Sequence, residues 1–419
     1  MIVELINTGT ELLLGNVLNT HLRSIAEALF PLGLRVNRQV TVPDGRAIRD
    51  ALVESMARAE IIIVTGGLGP TTDDITREIT AELLGLKLVH DEEIMRAIAA
   101  RFARRCMSMG ERVKLQALRP AEAIVLANAN GTAPGLYFPP LSLPGTPESS
   151  NGPEQKSTHI FLLPGPPREL IPMVEASVVP ILREIAPPNP SFAMRSWRIA
   201  SLGESQVEEL VGEQLVALGA ELGYCARPGE VDVRVIGSPD QLDCAEKLIL
   251  EKLAPHIVSQ GVRSLESVVV ELLTTRHETL ATAESCTGGG LADSITNVPG
   301  ASAIFLAGFV TYSNDAKARD LGVDAALIRE HGAVSHQVAA AMASGALRTA
   351  KSHYALATTG IAGPGGGSSE KPVGTVYIAL ARRDGPGEVQ RHRFVTDRLT
   401  FKDLVIRTAL DMLRRTISG

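Results

Sequence analysis

Ser285, Cys286 and Thr287 stand side by side in the stretch Ala283-Glu284-Ser285-Cys286-Thr287-Gly288-Gly289-Gly290. Such a run suits covalent chemistry: a hydroxyl or thiol nucleophile followed by glycines that let a backbone turn sharply. The apolar Leu280-Ala281-Thr282 before it reads as a short strand, and Leu291 to Ile295 after it reads as a helix. A strand, a Ser/Thr/Gly turn and a helix together expose hydroxyls at a strand's carboxyl end. They also aim the free N–H groups of a helix start at whatever binds above, a phosphate or an oxyanion. Ser285 needs a base, and no histidine lies near it in sequence. Lys317, in Thr311-Tyr312-Ser313-Asn314-Asp315-Ala316-Lys317 after the apolar strand Ile304 to Val310, could serve if desolvation lowers its pKa. The plainer readings make Ser285 a helix cap, Cys286 a buried packing residue and Lys317 a surface lysine. His331 and His336 flank Ala333-Val334-Ser335, which reads as a helix start.

A second glycine loop, Thr359 to Gly367, follows the strand-like His353 to Thr358, and two such loops in one segment suggest a nucleotide site. The N-terminal part offers a similar arrangement. Ile61-Ile62-Ile63-Val64 is apolar at every position, as in a parallel strand buried on both faces, and runs into Thr65-Gly66-Gly67-Leu68-Gly69-Pro70. Thr8-Gly9-Thr10-Glu11 follows the first strand, Ile2 to Ile6, and would deliver Thr8 and Glu11 to the same edge. Gly66, Gly67 and Gly69 can cradle a phosphate, and Asp73 and Asp74 can bring oxygen ligands for a divalent cation beside it. The alternative is a plain turn with Asp73 or Asp74 capping the next helix, which carries Ile75, Ile79 and Leu83.

The elements that position these loops alternate strand and helix. Leu22, Ile25, Ala26 and Leu29 share one helical face, as do Ala47, Ile48, Ala51, Leu52 and Ser55. Residues 1–170 therefore read as an α/β, doubly wound domain. Pro139 to Thr158, rich in Pro, Ser and Gly, reads as an exposed loop, and Pro187-Pro188-Asn189-Pro190 as a linker. Residues 171–262 form a small α+β (β-α-β-β-α) module without a chemical motif, suited to connecting and dimerising. Residues 263–419 form a second α/β unit, from the helix Val268 to Leu273 to the helix Phe401 to Leu413.

Bulk properties agree. A chain of 419 residues calls for two or three domains. With 45% hydrophobic and 21% charged residues it is globular, and a formal charge of −6 argues against a general nucleic-acid or membrane-surface binder. No basic N-terminal segment runs into an apolar stretch, and no run could cross a bilayer. The four cysteines, Cys106, Cys225, Cys244 and Cys286, form no CxxC pair, which fits a reducing cytoplasm.

Taken in order, Gly9 to Gly15, Thr65 to Thr76, Leu163 to Glu169, Ala283 to Gly289, Thr311 to Lys317, Gly332 to Ser335 and Gly360 to Thr375 resemble the CinA competence/damage-inducible family over essentially the whole chain. The N-terminal domain is similar to the molybdopterin-binding fold of the MoaB/MogA group, and the C-terminal domain to nicotinamide-mononucleotide amidohydrolase. That resemblance implies hydrolysis of nicotinamide mononucleotide to nicotinate mononucleotide and ammonia, in pyridine-nucleotide salvage. It makes Ser285 the nucleophile and Lys317 its proton partner. Thr287, Gly288, Gly289, Tyr312, Asn314, Gly360 and Gly363 would meet the substrate, with Arg398 on its phosphate. No cofactor is implied for this step. The resemblance also implies a metal-dependent ADP-ribose pyrophosphatase in the N-terminal domain, using Asp73 and Asp74. The expected partners are small nucleotide substrates and a second copy of the chain in a homodimer, not a membrane or nucleic acid. The rival class is a non-catalytic protein that binds a nucleotide or pterin. Two departures stand out: the family's Gly-Pro-Asp-Gly-Gly reads Gly363-Pro364-Gly365-Gly366-Gly367 here, and the 139–158 stretch exceeds the short hairpin expected.

Overall fold

The computed structural model describes residues 1–140, 158–186, 193–261 and 263–418. The core of the 139–158 stretch and the 187–190 linker lie outside the described residues. The chain divides into two compact units, Met1–Pro190 and Ser191–Gly419.

The first unit is built on a six-stranded sheet in the order Val36–Val42, Val3–Thr8, Ile61–Thr65, His159–Leu163, Gly135–Phe138, Ile124–Leu126. The first four strands run parallel and the last two antiparallel. Val3–Thr8 and Ile61–Thr65 are buried at every position, because both sheet faces are covered by helices. Strand alternation sorts their side chains into two layers. Leu5, Ile61 and Ile63 meet Ile25, Leu29, Leu170 and Leu182 on one face, while Ile6, Ile62 and Val64 meet Ile48, Leu52 and Leu84 on the other. Truncating a fully buried residue such as Ile63 to Ala would cost about 2–5 kcal/mol.

The domain boundary expected at residue 170 is corrected by this packing. The helices Pro167–Met173 and Val179–Ile185 bury Leu170, Met173, Val178 and Leu182 in the core of the first sheet, so the unit runs on to Pro190.

The second unit holds two sheets. The smaller, with order Glu221–Arg227, Glu230–Gly237, Ala193–Ala200, Ile257–Gln260, is antiparallel throughout. Its core joins Trp197, Val233 and Val235 to Val207, Val211 and Leu215 of one helical segment and Leu242, Ile249 and Leu253 of another. This module is docked on the final helix, Arg398–Ser418: Ser201 donates to Asp411 at 2.6 Å, and Arg414 donates to the Pro255 and Ile257 carbonyls at 2.9 Å.

The larger sheet has the order Phe305–Val310, Leu280–Glu284, Tyr354–Gly360, Thr375–Arg382, Glu388–Arg393, with the first three strands parallel. Leu265–Arg276 and Arg398–Ser418 cover one face. The other is lined by Ala281, Ala283, Ala355 and Ala357, which let the alanine-rich helix His336–Ala350 lie close. Among the described residues no helix is long and apolar enough to cross a membrane.

Candidate active site at the Ser285 turn

Leu280–Glu284 is an interior strand of the larger sheet, and its carboxyl end releases the Ser285 turn between loops from its two neighbours. Backbone hydrogen bonds fix the three together: Ser285 N–H donates to the Thr358 carbonyl at 2.9 Å, and Thr311 N–H to that of Glu284 at 2.8 Å. The buried Thr287 hydroxyl meets that of Thr358 at 2.8 Å. Gly288 and Gly289 have φ of 64° and 96°, a region that penalises any side chain, so the glycines here answer a conformational demand.

Lys317 is a buried lysine, 1% exposed, which overturns the surface reading. Ser313 caps its helix, Asn314–Leu321, by accepting from Ala316 N–H at 3.1 Å, and that fixes where the side chain enters the core. Its Nζ lies 2.9 Å from the Thr311 carbonyl, 3.3 Å from that of Tyr312 and 3.2 Å from Ser285 Oγ. Burial pushes its pKa below the usual lysine range, against a smaller opposing pull from Cys286. A neutral amine has two N–H donors, which the two carbonyls engage. Its lone pair is left for the Ser285 hydroxyl proton. Cys286 is 5% exposed, and burial raises its pKa to about 12, so it stays a protonated packing residue. Ser285 does not cap the following helix, Gly290–Thr296, whose N-cap is Gly289.

One expectation fails. The N–H groups at that helix start are not free for a ligand. Glu284, fully buried, takes them with its carboxylate: Gly289 and Leu291 donate to it at 3.0 Å and Ala292 at 2.8 Å. A buried carboxylate demands donors, and the helix start supplies them. The amides of Cys286 and Thr287 are different. Among the described residues they have no acceptor, and they directly follow Ser285 in the turn.

The other candidates divide. Tyr312, exposed, accepts from Arg398 at 3.1 Å, and Arg398 also donates to the Gly363 carbonyl at 3.0 Å, so these three form one group. Asn314 is exposed at the first position of its helix. Gly360 is explained by its own sheet: a Cβ there would lie 2.9 Å from the Thr375 carbonyl and Val376. Gly363 has φ of 73° and faces Val373. A Cβ on Gly365 meets nothing within 4 Å, so an Asp at that position would project into open space. Ser335 caps the helix His336–Ala350 through Val338 N–H, as the sequence suggested.

In the first unit, Thr8, Glu11, Gly66, Gly67, Gly69, Asp73 and Asp74 all line one cleft of about 520 Å3, together with the loop Pro164–Pro167 and Glu169. A Cβ on Gly66 would lie 2.6 Å from the Thr8 carbonyl and one on Gly67 would run into the Thr76 side chain, and their φ values of 103° and 67° penalise any side chain, so both positions call for glycine. Neither aspartate caps the helix Thr76–Leu83, whose N-cap is Ile75. Asp74 instead closes a turn by accepting from Thr71 N–H at 2.9 Å and from the Thr71 hydroxyl. Among the described residues no three His, Cys, Asp or Glu side chains converge as a metal cage. Sequence reasoning missed His21 and Gln116 in this cleft. His21 is buried and contacts the Thr65 hydroxyl at 2.8 Å, and desolvation lowers its pKa. Gln116 is 1% exposed and donates to the Leu68 carbonyl at 3.3 Å, while its own carbonyl oxygen has no partner among the described residues. It sits in the 3-10 stretch Glu111–Ala117, which carries no motif.

Comparison with known proteins matches each part. Residues 4–184 match the probable molybdopterin binding domain, residues 194–257 the damage-inducible protein CinA KH domain, and residues 262–417 the CinA C-terminal domain. The chain is 45% identical to a CinA-like protein of Akkermansia muciniphila over 97% of this chain and 95% of that one. It is 41% identical to a protein of Caldicellulosiruptor bescii named for competence-damage inducibility, over 100% and 99%. The crystal structure of competence/damage inducible protein CihA from Agrobacterium tumefaciens is 40% identical, covering 38% of this chain and 99% of that chain, with a TM-score of 0.36. With its MoaB/MogA-like, KH-like and C-terminal domains in that order, the chain belongs to the CinA family of competence/damage-inducible proteins.

Proposed function

We propose that the C-terminal domain is an amidohydrolase that converts nicotinamide mononucleotide to nicotinate mononucleotide and ammonia. The observation that carries this reading is the buried Lys317 amine, 3.2 Å from Ser285 Oγ. Ser285 Oγ attacks the carboxamide carbon as its proton passes to Lys317 Nζ. The Cys286 and Thr287 amides receive the developing oxyanion. Lys317 then returns the proton to the departing nitrogen, ammonia leaves, and an ester remains on Ser285. Water, giving its proton to Lys317, hydrolyses that ester, and Ser285 regains its hydroxyl proton. None of these steps requires a metal. Ser285→Ala should lower ammonia release by roughly 10^4-fold or more while the fold and nucleotide binding persist. A Ser285→Ala protein with near wild-type turnover would transfer the reaction to an activated water.

The N-terminal cleft supports binding of a nucleotide or pterin, with its glycine turn and its carboxylates around one opening. Asp73 and Asp74 suit a divalent cation that is shared with a ligand's phosphates, since such ions commonly take one or two carboxylates plus phosphate oxygens. When bound, that cation would offset phosphate charge in a metal-dependent pyrophosphatase. The middle module reads as structural. Residues 193–261 hold eleven Asp and Glu against six Lys and Arg, and they lack the G-x-x-G loop by which KH folds clamp nucleotides. A homodimer in the cytoplasm remains our expectation for the assembly.

A further inference from the structure

The cleft of the first unit holds a polar atom that the fold leaves unanswered. Gln116 is buried, and its Nε2 donates to the Leu68 carbonyl within the glycine turn at 3.3 Å. Its Oε1 has no donor among the described residues. Turning the amide over would not help, because it would set two acceptors, Oε1 and the Leu68 carbonyl, against each other. The turn therefore fixes which end of the amide is left over. A buried carbonyl oxygen without a donor destabilises a fold, and it calls for a group that completes it. The Thr76 hydroxyl is also buried without a partner among the described residues, but it packs behind Gly67 and does not line the cleft. Gln116 does line it, so its Oε1 is the orphaned acceptor that an occupant meets.

The rest of the lining says what that occupant must bring. Glu11, Asp44, Asp73, Asp74 and Glu169 line the cleft, and among the described residues no lysine or arginine does. Acceptors are in excess, which favours a ligand with N–H donors at its edge. His21 is buried and desolvation lowers its pKa, so it adds no fixed positive charge. Leu12, Val17, Leu18 and Pro166 give the same cleft apolar surface that suits a flat ring. A heterocycle with an exocyclic amine meets both demands, with apolar faces and an N–H2 for Oε1. A ring carbonyl in that place would set acceptor against acceptor, and the bond to Leu68 keeps the amide from turning to suit it. A site that leaves a buried polar group unpaired with the wrong ligand discriminates strongly against that ligand.

We propose that Gln116 is the specificity-determining residue of the N-terminal cleft, where its Oε1 accepts from the exocyclic amine of an aminated heterocycle, an adenine or a pterin. This rests on the reading of the cleft as a nucleotide or pterin site and names the part of the ligand that is selected. The test is calorimetric binding to the full chain, with magnesium present, of two ligand pairs in which a carbonyl replaces the amine: AMP against IMP, and pterin against lumazine. The pair that binds more tightly identifies the source of the ring. Within it, the aminated member should bind roughly tenfold to a hundredfold more tightly, the scale of one buried acceptor left unpaired. Gln116→Met removes the acceptor and should bring that ratio close to one by weakening the aminated member alone. Gln116→Asn withdraws the amide by one methylene and should give an intermediate ratio, which decides the matter if the Met variant does not fold. A purely structural role would weaken both members equally and leave the ratio untouched. Equal loss on both members, an unchanged ratio in the variants, or no preference in the wild type overturns the role of Gln116, while the cleft remains a binding site. If neither pair binds the wild type, the reading of the cleft fails and the role of Gln116 with it.

Discussion

Two glycine turns, each at the carboxyl end of an inner parallel strand, have opposite surroundings. The Gly66–Gly69 turn opens on a cleft with exposed carboxylates, a buried histidine and an amide oxygen that has no partner among the described residues. The Ser285–Gly289 turn closes over a buried amine and a buried carboxylate. Glycine supplies the backbone freedom in both. What separates them is desolvation: Lys317 is 1% exposed and burial pushes its pKa down, whereas Asp73 is exposed. A glycine-rich turn thus marks a place where something can bind. The titratable group beneath it decides whether anything reacts.

The largest effect that sharpens this contrast is at Lys317. Lys317→Met should cut kcat by about 100-fold or more, the scale of lost general acid–base help, with KM little changed. Because burial lowers the Lys317 pKa, its neutral, active form gains population as pH rises. Wild-type kcat should therefore climb with pH and level off below the ordinary lysine value of 10.5, and this limb should vanish in the variant. A loss confined to KM would make Lys317 a binding residue.

The next effect is at Glu284. In Glu284→Gln, the amide's own N–H2 faces a backbone donor that the carboxylate now accepts from. About 2 kcal/mol of stability should be lost in chemical denaturation, with a roughly tenfold lower kcat as the Ser285 turn loosens. Unaltered kcat in a folded variant would show that the carboxylate serves the helix alone.

The smallest effect belongs to the N-terminal turn. The double variant Asp73→Asn, Asp74→Asn should leave the amidase unchanged, since every residue assigned to it lies beyond residue 263. Any ADP-ribose hydrolysis should need added divalent metal and disappear in the double variant. Metal-independent hydrolysis, or equal loss of both activities, would end the two-site account.

Much of this was legible in the sequence, for local reasons. All-apolar Ile61–Val64 announces a strand covered on both faces, and runs of glycine announce turns. Ser285 and Lys317 can be paired from their residue types and their places after two strands, but a lysine 32 residues away gives no sign of its own burial, and only the family resemblance favours that pairing over a surface lysine. Glu284 was invisible as a structural acceptor, because only the fold shows that its carboxylate points back under the helix start. Gln116 has no motif to betray it. The boundary at 170 failed because the helices after Pro167 continue the first core, and a Pro-Gly-Pro-Pro loop reads as an ending.

The most direct test of the central claim is to catch the ester. Wild-type protein mixed with nicotinamide mononucleotide, quenched in acid within a turnover and analysed by peptide mass spectrometry, should carry the nicotinate-mononucleotide acyl group on Ser285. Lys317→Met should accumulate far less of it. Ammonia released at the wild-type rate with no adduct on Ser285, or with the adduct on Cys286, would contradict the account.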